Sequence, residues 1–216
     1  MRFRGPAVLL VVLLAAGGAD ARAQTVTDRY DDVFRSYSKK FFGPAFDWRV
    51  FKAQSMAESG LDPNAKSWVG ARGLMQLMPT TYQEVQSKNP ELGDVSDPRW
   101  NIAAGIFYDR QLWRQWTGVG EAVGHRRSFM FGSYNAGRGT LLRAQGVAEN
   151  KALNGNEWSS IKVVAPDVPR WRHEETLGYV DKISGNVQRM DDSGRVTRAS
   201  PARREPSPPS GAPPDK

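Results

Sequence analysis

Helical periodicity runs almost without interruption from Tyr30 to Met190, and it constrains the fold more than any other feature of the sequence. Between Phe46 and Glu58, for example, apolar residues recur every three or four positions, as on the buried face of an amphipathic helix. Alternation long enough for a sheet of several strands is absent, although the glycine-rich segment from Ser67 to Gly73 suits a short hairpin. The sequence therefore predicts a mainly α-helical domain with at most a minor β-hairpin.

Local signals indicate where individual helices begin and end. The pair Asp97-Pro98 combines a capping residue with a first-turn proline and opens what should be the longest helix. A helix over Phe129 to Asn135 should stop at Gly137, because glycine readily adopts the left-handed conformation that ends helices. A further helix is predicted from Trp171 to Met190, with its apolar residues on one face.

The first 23 residues are typical of a secretory signal peptide. A charged start is followed by an apolar run from Pro6 to Ala16 and by the small-residue cleavage site Ala21-Arg22-Ala23. This run is much shorter than the roughly 20 residues that span a bilayer. We therefore expect cleavage before Gln24, a periplasmic mature protein and no membrane span after cleavage.

Composition divides the remainder into three parts. Residues 24–46 are interpreted as an N-terminal lead-in, and residues 47–190 as one globular domain with enough apolar sequence to form a core. Residues 191–216 are rich in proline, arginine and serine with almost nothing apolar to bury, so a disordered tail is predicted there. The role of such a tail is not fixed by its composition.

Several classes of function are disfavoured by residues that are missing. The chain has no cysteine, only His125 and His173 as imidazoles, and neither an HExxH nor a GxSxG motif. We therefore expect no metal, no cofactor and no serine-histidine catalysis. The formal charge of +7 comes from Lys and Arg interleaved with acidic residues, which is not the pattern of a nucleic-acid-binding module. It does favour weak attraction to anionic envelope polymers.

Three segments contain the candidate chemistry. They read AESGLDPNAKSWVGARGLMQLMPTT from Ala57, SYNAG from Ser133 and EETLGYV from Glu174. In their order and internal spacing they resemble the ES...GLMQ.MP.T, YNAG and ET..YV elements of the soluble lytic transglycosylase (SLT) domain family, which is goose-lysozyme-like. The resemblance covers roughly Asp47 to Ile183. It implies a lysozyme-like fold and cleavage of peptidoglycan glycan strands.

Glu58 can also be interpreted without the resemblance. It ends an apolar helix and is followed by Ser59-Gly60, so its carboxyl can lie at the lip of a groove. Partial burial there would raise its pKa and let it protonate a glycosidic oxygen. Conventional glycosidases need a second carboxylate, and the nearest one, Asp62, precedes a proline and is better interpreted as a turn or cap residue.

The resemblance implies how one carboxyl suffices. In this family a single Glu, here Glu58, protonates the bond between N-acetylmuramic acid and N-acetylglucosamine. It then accepts the proton of the muramic acid C6 hydroxyl, giving a 1,6-anhydro product without water. The positions that match the family's substrate-contacting residues are Ser67, Gln76, Met78, Tyr134 and Asn135.

The same resemblance implies further roles. Tyr134 is expected to lie close to Glu58. Glu175 is expected either to line the groove, where its charge would help raise the pKa of Glu58, or to be a plain residue of the helix surface. Tyr179 is interpreted as a packing residue, and Trp68 as a residue able to stack on a sugar ring. For Asn135, a local bond at a helix end is as good an interpretation as sugar contact.

Two alternative functions remain open at this stage. A goose-type muramidase would hydrolyse the same bond with water, and a non-catalytic factor would only bind peptidoglycan. The exported, unanchored pattern with a polar tail also resembles enzymes that open the wall for a secretion or conjugation apparatus, which makes such an apparatus an expected partner.

Overall fold

The computed structural model describes residues 27–119 and 123–197, which fold mainly into α-helices and confirm the predicted fold class. The predicted signal peptide lies outside the described residues, as does the tail beyond residue 197. We number the α-helices within the described ranges as follows: α1 (Asp31–Phe42), α2 (Arg49–Glu58), α3 (Pro79–Lys88), α4 (Pro98–Gln115), α5 (Val123–Ala136), α6 (Arg138–Asn150), α7 (Trp158–Val164) and α8 (His173–Gln188). A 3-10 turn, Ala165–Asp167, follows α7.

Helix α2 lies at the centre of the packing. It contacts α8 along one side and α1 on another, while α4 packs against both α1 and α5. Six consecutive α2 residues, 50–55, are buried. An amphipathic surface helix would bury only one stripe, so burial on all sides marks α2 as a core helix. The end of α2, where Glu58 lies, is thereby held by its neighbours.

The predicted helix boundaries are largely confirmed. The Asp97 carboxylate accepts a hydrogen bond from the Arg99 backbone N–H at 2.7 Å and caps α4, whose 18 residues make it the longest described helix. Gly137 follows α5 with a φ of 80°, as expected for the residue that ends it. Helix α5 starts at Val123, earlier than predicted.

The glycine-rich segment forms the predicted hairpin, which extends further than expected. Isolated antiparallel bridges join Lys66 to Arg72 and Arg72 to Leu77. Gly73 has a φ of 73°, and a Cβ atom there would lie 2.5 Å from the Asn101 side chain. Asn101 in turn accepts a hydrogen bond from the Met75 backbone N–H at 2.8 Å, so α4 fixes the hairpin in place.

The folded unit extends beyond both predicted domain boundaries. Helix α1 precedes residue 47 and contributes the buried Phe34 and Tyr37 to the core. At the other end, Val196 pairs with Met190 and packs against the core. The polar composition predicts disorder from residue 191. Backbone hydrogen bonds nevertheless hold residues 191–197, among them those from the Gly194 N–H to the Asp191 carbonyl oxygen and from the Thr197 N–H to the Arg189 carbonyl oxygen. Composition does not reveal such bonds.

A buried cation holds this C-terminal segment. The Lys52 side chain is fully buried in α2, and its Nζ lies 2.6 Å from Asp31 Oδ1 and 3.2 Å from Asp28 Oδ1. The same Nζ donates to the Gly194 carbonyl oxygen at 2.8 Å. Lys52 therefore joins α2, the start of α1 and the C-terminal segment.

Membrane crossing needs a long and uniformly apolar helix, and none of the helices in the described ranges has both properties.

We predict that Lys52→Met destabilises the protein by roughly 3–5 kcal/mol, because the buried Asp31 then loses its closest cation. Urea unfolding measures this change. The matched control is Lys162→Met, which removes an exposed ion pair with Asp181 and should leave stability nearly unchanged. Equal effects of the two substitutions would contradict the proposed role of Lys52.

Candidate active site

Glu58 is the last residue of α2, and its partly buried side chain lies where the helix opens toward solvent. The chain turns away at Gly60, which has a φ of 67°. The Ser55 and Ser59 hydroxyls both donate to the Leu74 carbonyl oxygen, at 3.0 and 2.9 Å. These bonds attach the hairpin to the end of α2, so the hairpin residues are held next to Glu58.

Tyr179 is the side chain that contacts the Glu58 carboxyl. Its hydroxyl donates to Glu58 Oε1 at 2.6 Å from the buried face of α8. Sequence interpretation missed this contact and assigned Tyr179 to packing. The signal was present, because Tyr179 is the tyrosine of the ET..YV motif, one turn after Glu175.

Tyr134 lies close enough to Glu58, as predicted, for the Glu58 charge to act on its hydroxyl, and it also bonds the hairpin. Its hydroxyl donates to the Met75 carbonyl oxygen at 2.8 Å and binds α5 to the hairpin. Burial raises the pKa of both Tyr134 and Tyr179 well above the ordinary value, and the charge of Glu58 raises them further. Both hydroxyls therefore keep their protons and act as donors at neutral pH.

Desolvation dominates the electrostatics of Glu58. Burial raises its pKa to about 7, against the smaller lowering effects of the Tyr179 hydrogen bond and the Lys182 charge. Lys182 Nζ also donates to the Ala57 carbonyl oxygen at 3.2 Å, which holds the cation near the end of α2. A carboxyl with this pKa can both release and accept a proton near neutral pH.

The hairpin positions three of the predicted site residues. Gln76 has a φ of 44°, and its Nε2 donates to the Gly73 carbonyl oxygen at 2.9 Å, so its amide is held in one orientation. Ser67 Oγ accepts the Ala71 backbone N–H at 3.0 Å, which shapes the turn. Met78 stands exposed where the hairpin meets α3.

The two remaining predicted residues lie at the junction of α5 and α8. Asn135 Oδ1 accepts the Thr176 hydroxyl at 2.8 Å, and that hydroxyl accepts from Trp171 Nε1 at 2.9 Å. This bond joins α5 to α8 across the fold, and it is not the local helix-end bond suggested by the sequence. Glu175 is half exposed and pairs with Arg172 at 2.9 Å. Its predicted effect on Glu58 is wrong, because it is not among the groups that shift the Glu58 pKa.

Two other acidic residues bear on the question of a second catalytic carboxylate. Asp62 Oδ1 accepts the Asn64 backbone N–H at 2.9 Å, which confirms it as a turn residue. Asp109 was missed by sequence interpretation because it lies inside the α4 pattern, yet it is fully buried near Glu58.

Over residues 27–119 and 123–197, no cluster of three or more possible metal ligands is present.

The fold and this site together define a helical, lysozyme-like domain with one partly buried glutamic acid. Comparison with known proteins identifies the family. Residues 37–157 match the family model described as Transglycosylase SLT domain, and the chain belongs to that family. The match ends before Glu175 and Tyr179, so the third motif lies outside it.

Solved and curated relatives agree with this assignment. The crystal structure of the 70 kDa soluble lytic transglycosylase of Escherichia coli is 27% identical, with a TM-score of 0.54, over 76% of this chain and 25% of that one. Membrane-bound lytic murein transglycosylase F of Desulfosudis oleivorans is 36% identical over 62% of this chain and 29% of its own length. The corresponding protein of Pseudomonas putida is 32% identical over 78% and 34%. The chain thus spans about a third of these curated relatives.

We predict that Tyr179→Phe raises the pKa of Glu58 above its value of about 7, because the lost hydrogen bond is one that favours the carboxylate. Carbon-13 NMR titration of the Glu58 carboxyl measures this pKa. Tyr134→Phe is the control, since that hydroxyl bonds Met75 and not Glu58. A fall in the pKa of the Tyr179→Phe protein, or equal shifts in both variants, would contradict the assignment.

Proposed function

We propose that this chain cleaves the β-1,4 bond between N-acetylmuramic acid and N-acetylglucosamine in peptidoglycan glycan strands, without water, and leaves 1,6-anhydromuramic acid ends. Glu58 is the proposed catalytic acid and base. The observation that carries the proposal is the partly buried Glu58 carboxyl, whose pKa of about 7 suits proton transfer in both directions. Family membership and relatives named lytic murein transglycosylases support the substrate class.

The first step is protonation of the leaving oxygen. Because Tyr179 donates to Oε1, that oxygen acts as an acceptor, and the acidic proton of neutral Glu58 resides on Oε2. Transfer of this proton to the glycosidic oxygen breaks its bond to the anomeric carbon. The product of the step is a Glu58 carboxylate, which the Tyr179 hydroxyl and the Lys182 charge stabilise.

The second step returns the proton to Glu58. The carboxylate accepts the proton of the C6 hydroxyl of the same muramic acid, and the C6 oxygen bonds to the anomeric carbon. Glu58 is protonated again, the released strand keeps the first proton, and no water is consumed. The raised pKa of Glu58 favours this recovery of the proton.

Positive charge developing on the sugar ring requires orienting groups, because no second carboxylate has been found to face it among the described residues. We assign this role to the hairpin and its surroundings: Ser67, Gln76, Met78, Tyr134 and Asn135, with Glu175 further along the groove. The amide orientation of Gln76 is fixed by its bonds to Gly73 and Ala65, which suits a residue that must not reorganise during reaction.

Trp68 supports a carbohydrate substrate. Its side chain is 94% exposed on the hairpin, next to Ser67. Exposing a whole indole ring to water costs free energy, and stacking of a sugar ring on the indole offsets that cost. We therefore assign Trp68 to the glycan contact surface.

Hydrolysis would require a second ionised carboxylate across the scissile bond. The exposed Asp62 carboxylate is hydrogen-bonded within a turn, and Asp109 is fully buried. Neither lies in an environment that suits a second catalytic carboxylate. This favours the non-hydrolytic reaction over the muramidase alternative.

The cell envelope is the proposed place of action, supported by relatives named membrane-bound lytic murein transglycosylases. Export by cleavage of residues 1–23 and partnership with a secretion or conjugation apparatus remain predictions from the sequence.

We predict that Glu58→Gln lowers the release of soluble muropeptides from purified peptidoglycan by ~10²–10⁴-fold, because the amide can neither donate the acidic proton nor recover it. Chromatographic quantification of muropeptides measures the release. Glu84→Gln is the control, since Glu84 is exposed on α3 and pairs with Lys88. Undiminished release by a folded Glu58→Gln protein would contradict the proposed function.

A further inference from the structure

A second buried carboxyl lies close to Glu58 and has no part in the steps above. Asp109, in α4, is completely buried. Its side chain meets Gln54 of α2, one turn before Glu58, where Gln54 Nε2 donates to Asp109 Oδ1 at 3.4 Å. Gln54 is also completely buried. The carboxyl and the amide are therefore hydrogen-bonded in the core, one turn along α2 before the candidate catalytic residue.

One oxygen atom of each group is unsatisfied. Within the part of the chain that the structure describes, Asp109 Oδ2 and Gln54 Oε1 are both buried without a hydrogen-bond partner. Gln54 Oε1 is always an acceptor, and Asp109 Oδ2 is an acceptor when Asp109 is ionised. An ionised Asp109 would therefore leave two buried acceptors unpaired, at considerable cost in folding free energy. A proton on Oδ2 would let Asp109 donate to Gln54 Oε1, completing the paired bonds that a carboxylic acid and a primary amide can form.

The surrounding charges favour the same state. The titratable groups that interact electrostatically with Asp109 are Glu58 of α2, Tyr134 of α5, Tyr179 of α8 and Tyr108 of its own helix. No cation is among the described groups that act on it. Burial raises the pKa of Asp109 well above the ordinary value, the Gln54 hydrogen bond lowers it, and the Glu58 charge raises it further.

Glu58 differs from Asp109 in each of these respects. It reaches solvent in part, receives the Tyr179 hydroxyl at 2.6 Å and lies near the Lys182 cation. Of the two neighbouring carboxyls, Glu58 is thus the one whose charged form has support. Two close carboxyls with unequal environments lose their protons in sequence rather than together.

We propose that Asp109 is a positioning residue: a neutral carboxylic acid whose hydroxyl donates to Gln54 Oε1. Of the two neighbouring carboxyls, only Glu58 then exchanges its proton during the reaction. The inference deepens the proposed function and, for its catalytic consequence, rests on it. A charged Asp109 would repel the Glu58 carboxylate formed in the first step. A neutral Asp109 removes that repulsion and fixes α2 one turn before its catalytic end.

The first test is infrared spectroscopy of the full chain. The comparison uses Glu58→Gln and Glu58→Gln/Asp109→Asn proteins at pH ~8, where an ordinary carboxyl is ionised. The expected result is a protonated carboxylic acid band in the first protein that is missing from the second. Absence of the band from both proteins would overturn the proposal. This readout does not require enzymatic activity.

The second test is the pH dependence of unfolding in the same two proteins. An acid with a raised folded pKa destabilises the folded state as pH rises, because the unfolded chain already releases that proton near its ordinary pKa of about 3.9. Relative to the double variant, the protein that carries Glu58→Gln alone should lose about tenfold in folding equilibrium constant per pH unit between roughly pH 5 and 7. A difference independent of pH would overturn the proposal.

The third test asks whether Asp109 charges during the reaction. The alkaline limit of muropeptide release is the pH at which the rate has fallen by half as the pH rises. This limit is measured for the unaltered chain and for the Asp109→Asn protein. The expected limit is the same in both, because Asp109 is already neutral where Glu58 titrates. A limit shifted to lower pH in the variant would show that a charged Asp109 had raised the Glu58 pKa. If no release occurs at all, the proposed function fails while the first two tests still decide the state of Asp109.

Discussion

Burial of α2 on nearly every side is the constraint on which the rest of the structure depends. A core helix cannot leave polar side chains unpartnered, and α2 buries three of them within one turn. Lys52 is paired with acids before and within α1, Gln54 meets Asp109 of α4, and Ser55 bonds the hairpin carbonyl of Leu74. Each of these polar residues thus fixes a different neighbouring element, and together they determine where Glu58 lies.

Desolvation at the end of this helix is also what gives Glu58 its chemistry. The carboxyl is buried enough for its pKa to reach about 7, yet the Tyr179 hydroxyl and Lys182 keep the charged form accessible. A fully buried acid such as Asp109 has only the 3.4 Å hydrogen bond from Gln54 to support its charged form, and the same burial raises its pKa well above the ordinary value. The contrast between two neighbouring carboxyls shows that the extent of burial and the nature of the partner, rather than residue type, decide which one can transfer a proton.

The elements that are predictable from the sequence are those whose signals are local. The Asp97-Pro98 start, the Gly137 stop and the hairpin near Gly73 all follow from capping and backbone preferences, and all are confirmed. Contacts made across the fold were not predictable in this way. Tyr134 and Tyr179 are both motif tyrosines, and only the packing of α5 and α8 against the rest of the fold decides which hydroxyl reaches Glu58. The burial of Asp109 and the ordered segment after Met190 depend likewise on partners distant in sequence.

Cleavage by a single carboxyl, without water, is the reaction proposed for Glu58. It is tested most directly by digesting peptidoglycan in oxygen-18 water and weighing the products by mass spectrometry. The expected products are muropeptides one water lighter than hydrolysis products, with 1,6-anhydromuramic acid ends and no oxygen-18. Reducing ends that carry oxygen-18 would contradict it, because they would show that water, activated by a further group, attacks the anomeric carbon.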